Sequence, residues 1–351
     1  MADRDVGGRE LGRGDIPAGR DRGRLGSAGR DRVRQGSALA ILAAVLWGTS
    51  WVATGLALHS LSPMAAAAWR GLFTAAVLLP VIVIPAVRAR RSLLAPVVHL
   101  ERQRFLRYLV LATLAGPAFL IGMTVAVGIS GATIAAFVAG AYPVIAAAGA
   151  PLVLGERPSR VAIAGLGLAF LGALLMAGFD IGGLRAAGLL VASGAALSFG
   201  VFLLLARRWQ GPWRMPAATV TFLNFGLAGV VAALICLAGG GGSLLSNGTT
   251  AEAWLAIVYL AVAPGLVGTV AVLESVKRIP AASSSAFLML NPLTAAVLAA
   301  PVLGERLTPV QLLGGALVLA GIAAATALAA WTGRASRSGR AEQVESGPAL
   351  L

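Results

Sequence analysis

Cysteine and histidine are nearly missing from this chain: one Cys and two His occur in 351 residues. A lone Cys236 forms no internal disulfide, and His59 and His99 stand too far apart for a metal-ligand pair, so no metal site is expected. Cys236 falls in an apolar run, where it packs as a small hydrophobe. Charge is scarce as well. Asp, Glu, Lys and Arg make up 12% of the residues, and most lie outside the apolar stretches. An enzyme buried in those stretches would need a catalytic dyad or metal ligands there, and neither a His/Cys cluster nor paired interior aspartates is present. No residue pattern calls for a cofactor.

Apolar residues are abundant. They form 58% of the chain and the mean hydropathy is +0.85, values that a water-soluble domain of this length does not reach. Segments of about 20 apolar residues, each able to cross a hydrocarbon core of about 30 Å, recur along the sequence. Ten are visible, near 38–58, 63–87, 105–127, 131–154, 160–179, 186–206, 215–238, 252–274, 280–303 and 309–331. The expectation is an all-α polytopic membrane protein of ten transmembrane helices, with the lipid bilayer as its solvent.

A net charge of +14 raises the question of nucleic acid, but the basic residues gather in particular loops and in the first 37 positions. That tail has nine Arg, six acids and no apolar periodicity, which predicts a disordered cytoplasmic segment, with lipid headgroups as its other reading. Nucleic acid is not expected as a partner. The first apolar run is of full spanning length without a cleavage pattern, so it is no signal peptide. With the amino terminus inside, 25 of the 28 Lys and Arg fall on the cytoplasmic side, only Arg185 and Arg306 lie outside, and Arg70 lies within a span. The positive-inside rule therefore puts both termini, including a second tail at 332–351, in the cytoplasm.

Two stretches nearly repeat each other. Pro143 leads to Leu154-Gly155-Glu156-Arg157 and on to Gly165 and Gly172, while Pro292 leads to Leu303-Gly304-Glu305-Arg306, Gly314 and Gly321. The offset is 149 throughout, and 13 of the 30 positions from 143 to 172 are identical to their counterparts. The chain reads as a duplication, with repeats at 38–179 and 186–331. Since five spans bring the chain out on the opposite side, the second copy is expected to be inverted, a 5+5 architecture suited to alternating access.

Most of the twin block reads as structure. Gly155 and Gly304 can close a helix in the left-handed conformation, Ser159 and Thr308 can cap the next one, and Pro309 suits its first turn. Glu156 and Glu305 remain as contacts for a gate or a homodimer. The glycine pairs seven apart read as packing seams. Prolines within the spans say more. Pro143 and Pro292 are in register, and Pro117 nearly matches Pro264. Helix interruptions at corresponding positions of two halves point to a transport site near the midplane. A kink that merely improves packing is the competing explanation.

Polar residues near those breaks are the candidate substrate contacts: Tyr142 and Asn291, which share a repeat position, and Trp47, Thr49 and Ser50 in the first run. Each could instead bond a neighbouring helix. Asn224 has no matching break and ranks below them. Glu274 is the obvious interior acid; Lys277 and Arg278 at i+3 and i+4 favour a local ion pair over a coupling role. Arg70 could snorkel outward or stay inside.

Trp47-Gly48-Thr49-Ser50, Pro63 with Trp69-Arg70-Gly71, and the two Pro to Gly blocks together resemble the drug/metabolite transporter superfamily, specifically ten-span transporters with two EamA domains. The likeness runs from about 38 to 331. It implies a secondary carrier, typically an exporter of amino acids or other small metabolites, with a central cavity among spans one, three, four, six, eight and nine. Ser198-Phe199-Gly200 replaces the Trp-Gly pattern in the second half, so the halves are expected to contribute unequally. The Arg, Ala and Gly bias points to a high-GC bacterium and hence to an inner membrane. Little fixed charge in the spans suits a neutral, zwitterionic or amphipathic small-molecule substrate. A flippase or carrier for lipid-linked or nucleotide sugars on the same fold is the alternative, and a non-transporting scaffold a further one.

Overall fold

In the computed structural model the described residues are 21–88, 102–155, 184–209, 217–239, 241–245, 248–276 and 290–321, with scattered positions at 160–175 and at 278, 287, 323 and 324. Every regular element among them is a helix. In chain order these are α1 (Asp21–Ala57), α2 (Pro63–Arg88), α3 (Arg102–Thr113, continuing through Leu114–Ile121 and Gly122–Ser130), α4 (Ala132–Ala139), α5 (Tyr142–Leu154), α6 (Leu184–Trp209), α7 (Ala217–Leu237), α8 (Ala251–Leu260, continuing through Ala261–Gly268 and Thr269–Val276), α9 (Leu290–Leu303) and α10 (Pro309–Gly321).

Among the described residues six helices are long and apolar enough to cross a bilayer, and α9 and α10 are shorter apolar helices. Large side chains such as Leu190, Leu255 and Leu237 stand more than two-thirds exposed, at 73%, 71% and 74%. Water would penalise that surface; hydrocarbon does not. The chain is an all-helical, multi-pass membrane protein. The apolar run at 160–179 lies mostly outside the described residues, as does 280–289.

Among the described residues α1 runs from Asp21, ahead of the apolar run, and residues 1–20 lie outside them. Once a long apolar helix is nucleated, adding residues at its end is inexpensive even for a charged, glycine-containing sequence.

The prolines divide into two kinds. Pro117 and Pro264 sit in the wide-turn π segments Leu114–Ile121 and Ala261–Gly268, in the middle of α3 and α8. A proline has no N–H to give and crowds the preceding turn, and a π turn absorbs both defects without breaking the helix. Pro143 behaves otherwise: it lies in the first turn of α5, where its missing N–H is not needed, and Pro292 lies near the described start of α9. Residues 288 and 289, just before α9, lie outside the described residues. The interruption in the fourth run lies just before Pro143, at Gly140-Ala141.

The helices exchange halves. α1 packs mainly on α8 and α9, and α2 on α7 and α8, whereas α6 packs on α3, α4 and α5, and α7 on α3. Close approach is bought with glycine: Gly71 and Gly229 let α2 and α7 touch backbone to backbone, and Gly172 meets the Gly314 carbonyl of α10. The second contact is the packing seam read from the glycine spacing.

The corner between α9 and α10 does more than turn. Gly304 closes α9 at φ +68°. Thr308 Oγ1 accepts the Gln311 N–H at 3.3 Å while Gln311 Oε1 accepts the Thr308 N–H at 2.9 Å, a reciprocal cap that starts α10. Between them the Glu305 carboxylate leaves the corner altogether. It accepts the N–H of Ala132 at 2.5 Å and of Thr133 at 3.1 Å, capping α4 from the opposite half of the chain. Gly131 precedes that helix at φ +87°, and a Cβ there would stand 2.7 Å from Glu305 Oε1. Only glycine fits both constraints.

Candidate functional site

The π segments are where α1 and α6 come in. Trp47, on α1, donates its indole N–H to the Pro264 carbonyl at 3.1 Å, and its ring lies against Gly268, where a Cβ would be 2.8 Å from Nε1. One turn on, Trp51 donates to Asn291 Oδ1 at 2.7 Å. The two tryptophans are i and i+4, so they share a face of α1, one reading the break in α8 and the other the start of α9. Gly48 between them brings α1 onto α9: a Cβ would sit 2.5 Å from Thr294 Cβ and 2.7 Å from the Asn291 carbonyl.

The other half repeats this arrangement with different side chains. Gly200 of α6 meets Ile145 Cγ2 and the Tyr142 carbonyl, at 2.7 and 3.2 Å from a built Cβ. Tyr142 and Ile145 are the counterparts, 149 positions back, of Asn291 and Thr294. Phe199 packs on Phe119 of the first π segment with centroids 4.5 Å apart, where Trp47 packs on Gly268 of the second. Phe199 also meets Tyr142 edge-on at 4.9 Å and Phe202 at 5.3 Å. Paired aromatics in these offset and edge geometries add about 0.5–1.5 kcal/mol beyond their area. One side of the centre is thus an aromatic shelf, and the other a set of hydrogen-bonded indole and amide groups.

The expected contacts therefore meet in part. Trp47 and Asn291 are half-buried, the first joining α1 to α8 and the second α9 to α1, and Tyr142 is half-buried with no hydrogen-bond partner for its hydroxyl among the described residues. Thr49 Oγ1 pairs with Tyr259 Oη at 2.6 Å, so this hydroxyl faces α8. Ser50 is buried and spends its hydroxyl on the Trp47 carbonyl of its own helix, at 2.6 Å. Pro292 is buried and reaches within 3.3 Å of a Cβ built at Gly140, so the break before α5 faces the start of α9. Glu274 pairs locally: Arg278 Nη1 lies 2.5 Å from its Oε2. Gly155 ends α5 at φ +72°, and Glu156 lies outside the described residues. Trp51, Tyr259, Phe119, Phe199 and Phe202 were not among the expected residues; the i, i+4 spacing of Trp51 from Trp47 was the one available signal.

Comparison with known proteins follows the same two halves. The family model described as "EamA-like transporter family" matches residues 34–178 and 186–327. No curated protein matches. A crystal structure described only as that of a protein is similar in fold, with a TM-score of 0.58 at 20% identity, over 85% of this chain and 98% of that one.

Proposed function

Because the chain belongs to the EamA-like transporter family, we propose that it is a secondary carrier exporting small metabolites, such as amino acids or amphipathic compounds, by alternating access. It is a membrane transporter of the drug/metabolite superfamily by that membership. The proposed architecture is ten spans in two inverted repeats of five, with both termini in the cytoplasm of a bacterial cell and the cargo between the aromatic shelf and the Trp47, Trp51 and Asn291 side.

One observation carries the reading. Gly48 against Asn291 and Thr294 is matched by Gly200 against Tyr142 and Ile145, beside π segments that each hold a proline in α3 and α8. Equivalent contacts at equivalent breaks support a reading in which the two halves exchange conformations, as alternating access requires. A merely kinked bundle has no use for the correspondence.

The experiment has two arms. Reporters active only in the cytoplasm or only outside it, placed after Arg157 and after Arg306, are expected to report opposite sides; the same side for both overturns the inverted topology. Extracellular metabolites compared with and without overexpression identify the cargo. Tyr142→Ala and Asn291→Ala are expected to abolish the difference at unchanged membrane abundance, and normal export by both removes them from the site. Competition by lipid-linked or nucleotide sugars in place of free metabolites would transfer the protein to the flippase or sugar-carrier reading.

A further inference from the structure

α2 carries one charge between Pro63 and Val87, and it is Arg70. At the helical rise its Cα is about 10 Å past the start of the helix. The side chain makes its contacts on neighbouring helices. It reaches across to α1, where Nη1 donates to Thr54 Oγ1 at 3.2 Å, and its guanidinium lies over the Phe225 ring of α7, 5.9 Å from the centroid. Thr54 is buried and gives its own proton to the Ser50 carbonyl at 2.7 Å, so its oxygen is fixed as an acceptor facing Arg70. Arg70 Nε is buried with no partner among the described residues. Among the described acids Glu274 is taken by Arg278 and Glu305 by the start of α4, and no described carboxylate pairs with Arg70.

A guanidinium has five N–H groups in a planar fork matched to a carboxylate, and within a membrane an unneutralised one is costly. One hydrogen bond and one aromatic face leave that requirement unmet. We propose that Arg70, oriented by Thr54 and Phe225, binds the carboxylate of the transported molecule, so that the cargo is a monocarboxylate, zwitterionic amino acids included. This rests on the carrier reading above and narrows it. A single cation neutralises a carboxylate fully but leaves a phosphate dianion half-charged in a low dielectric, which disfavours phosphorylated cargo.

The test uses the purified full chain in phosphatidylcholine nanodiscs and measures thermal stabilisation by the common amino acids and by their carboxamides. Free carboxylates are expected to stabilise the wild type and the matched amides are not. Arg70→Gln is expected to weaken that binding by at least about tenfold, the loss typical of a charge-assisted pair. Arg70→Lys should keep part of it, and Thr54→Val should weaken it severalfold while remaining folded. Stabilisation by neither compound, equal stabilisation by acid and amide, or an unchanged preference in Arg70→Gln overturns the assignment. So does stabilisation by added phosphatidylglycerol alone that vanishes in Arg70→Gln, which would make the ligand a lipid headgroup. Failure of the carrier reading is separate: overexpression would then change no extracellular metabolite, whereas export of compounds lacking a carboxylate defeats only this inference.

Discussion

Replacing Glu305 by alanine removes a side chain that caps α4, and it does so from another helix corner. Its carboxylate holds two backbone N–H groups, at 2.5 and 3.1 Å, at the positive end of a helix. Hydrogen bonds to a charged group contribute about 1.5–3 kcal/mol each when buried, and a lost cap alone about 0.5–2. Glu305 is half exposed and the two bonds share one carboxylate, so a total near 2–3 kcal/mol is the reasonable figure. At about 2–4 °C per kcal/mol for a chain of more than 150 residues, Glu305→Ala should unfold about 4–12 °C earlier. Glu305→Gln keeps one acceptor and loses the charge, and should fall roughly midway. The assay is loss of monodisperse protein after heating at one fixed ramp, since membrane proteins rarely unfold reversibly. Arg306→Ala, at the exposed neighbour, is the control. If Glu305→Ala melts with the wild type, the contact contributes nothing and the corner is only a turn.

Three other outcomes follow from the same contacts. Gly48→Val should lower folded yield sharply and Gly48→Ala should cost about 1–3 kcal/mol, because even a methyl group meets Thr294 and Asn291 below 3 Å; wild-type melting of both variants would refute the wedge. Trp51→Phe keeps the ring but leaves the Asn291 amide oxygen unpaired, for a loss of about 1–3 kcal/mol, whereas a combined Trp51→Phe and Asn291→Leu variant should recover much of it. Gly131→Ala strains a residue at φ +87° and pushes on Glu305, so its effect and that of Glu305→Ala should be non-additive in a double-mutant cycle; strict additivity would uncouple them.

The apolar runs, the duplicated block and the glycine corners were legible because they depend on composition and local backbone chemistry alone. Gly304 takes the left-handed conformation and Thr308 caps its helix as their residue types require. The candidate site was partly legible. Tyr142 and Asn291 share a place before a proline and each meets the glycine contact of the facing helix, whereas Ser50 bonds its own helix. What the side chains of α1 touch depends on residues more than 200 positions away, and no local pattern encodes the partner. Glu305 is the sharpest case. Its neighbours in sequence describe a turn, while its carboxylate serves α4, 172 and 173 positions earlier.

The exchange of α1 into the other half has a consequence for biosynthesis. Its seat consists of α8 and α9, and the two tryptophan bonds that hold it there span 217 and 240 residues. At about 5–20 residues per second, ribosomal synthesis supplies the Pro264 carbonyl on the order of 10–40 s after Trp47 has emerged. Throughout that interval α1 waits in the bilayer with two unbonded indoles and the bare glycine groove at Gly48 facing lipid or the insertion machinery. The first helix made is therefore among the last to be seated.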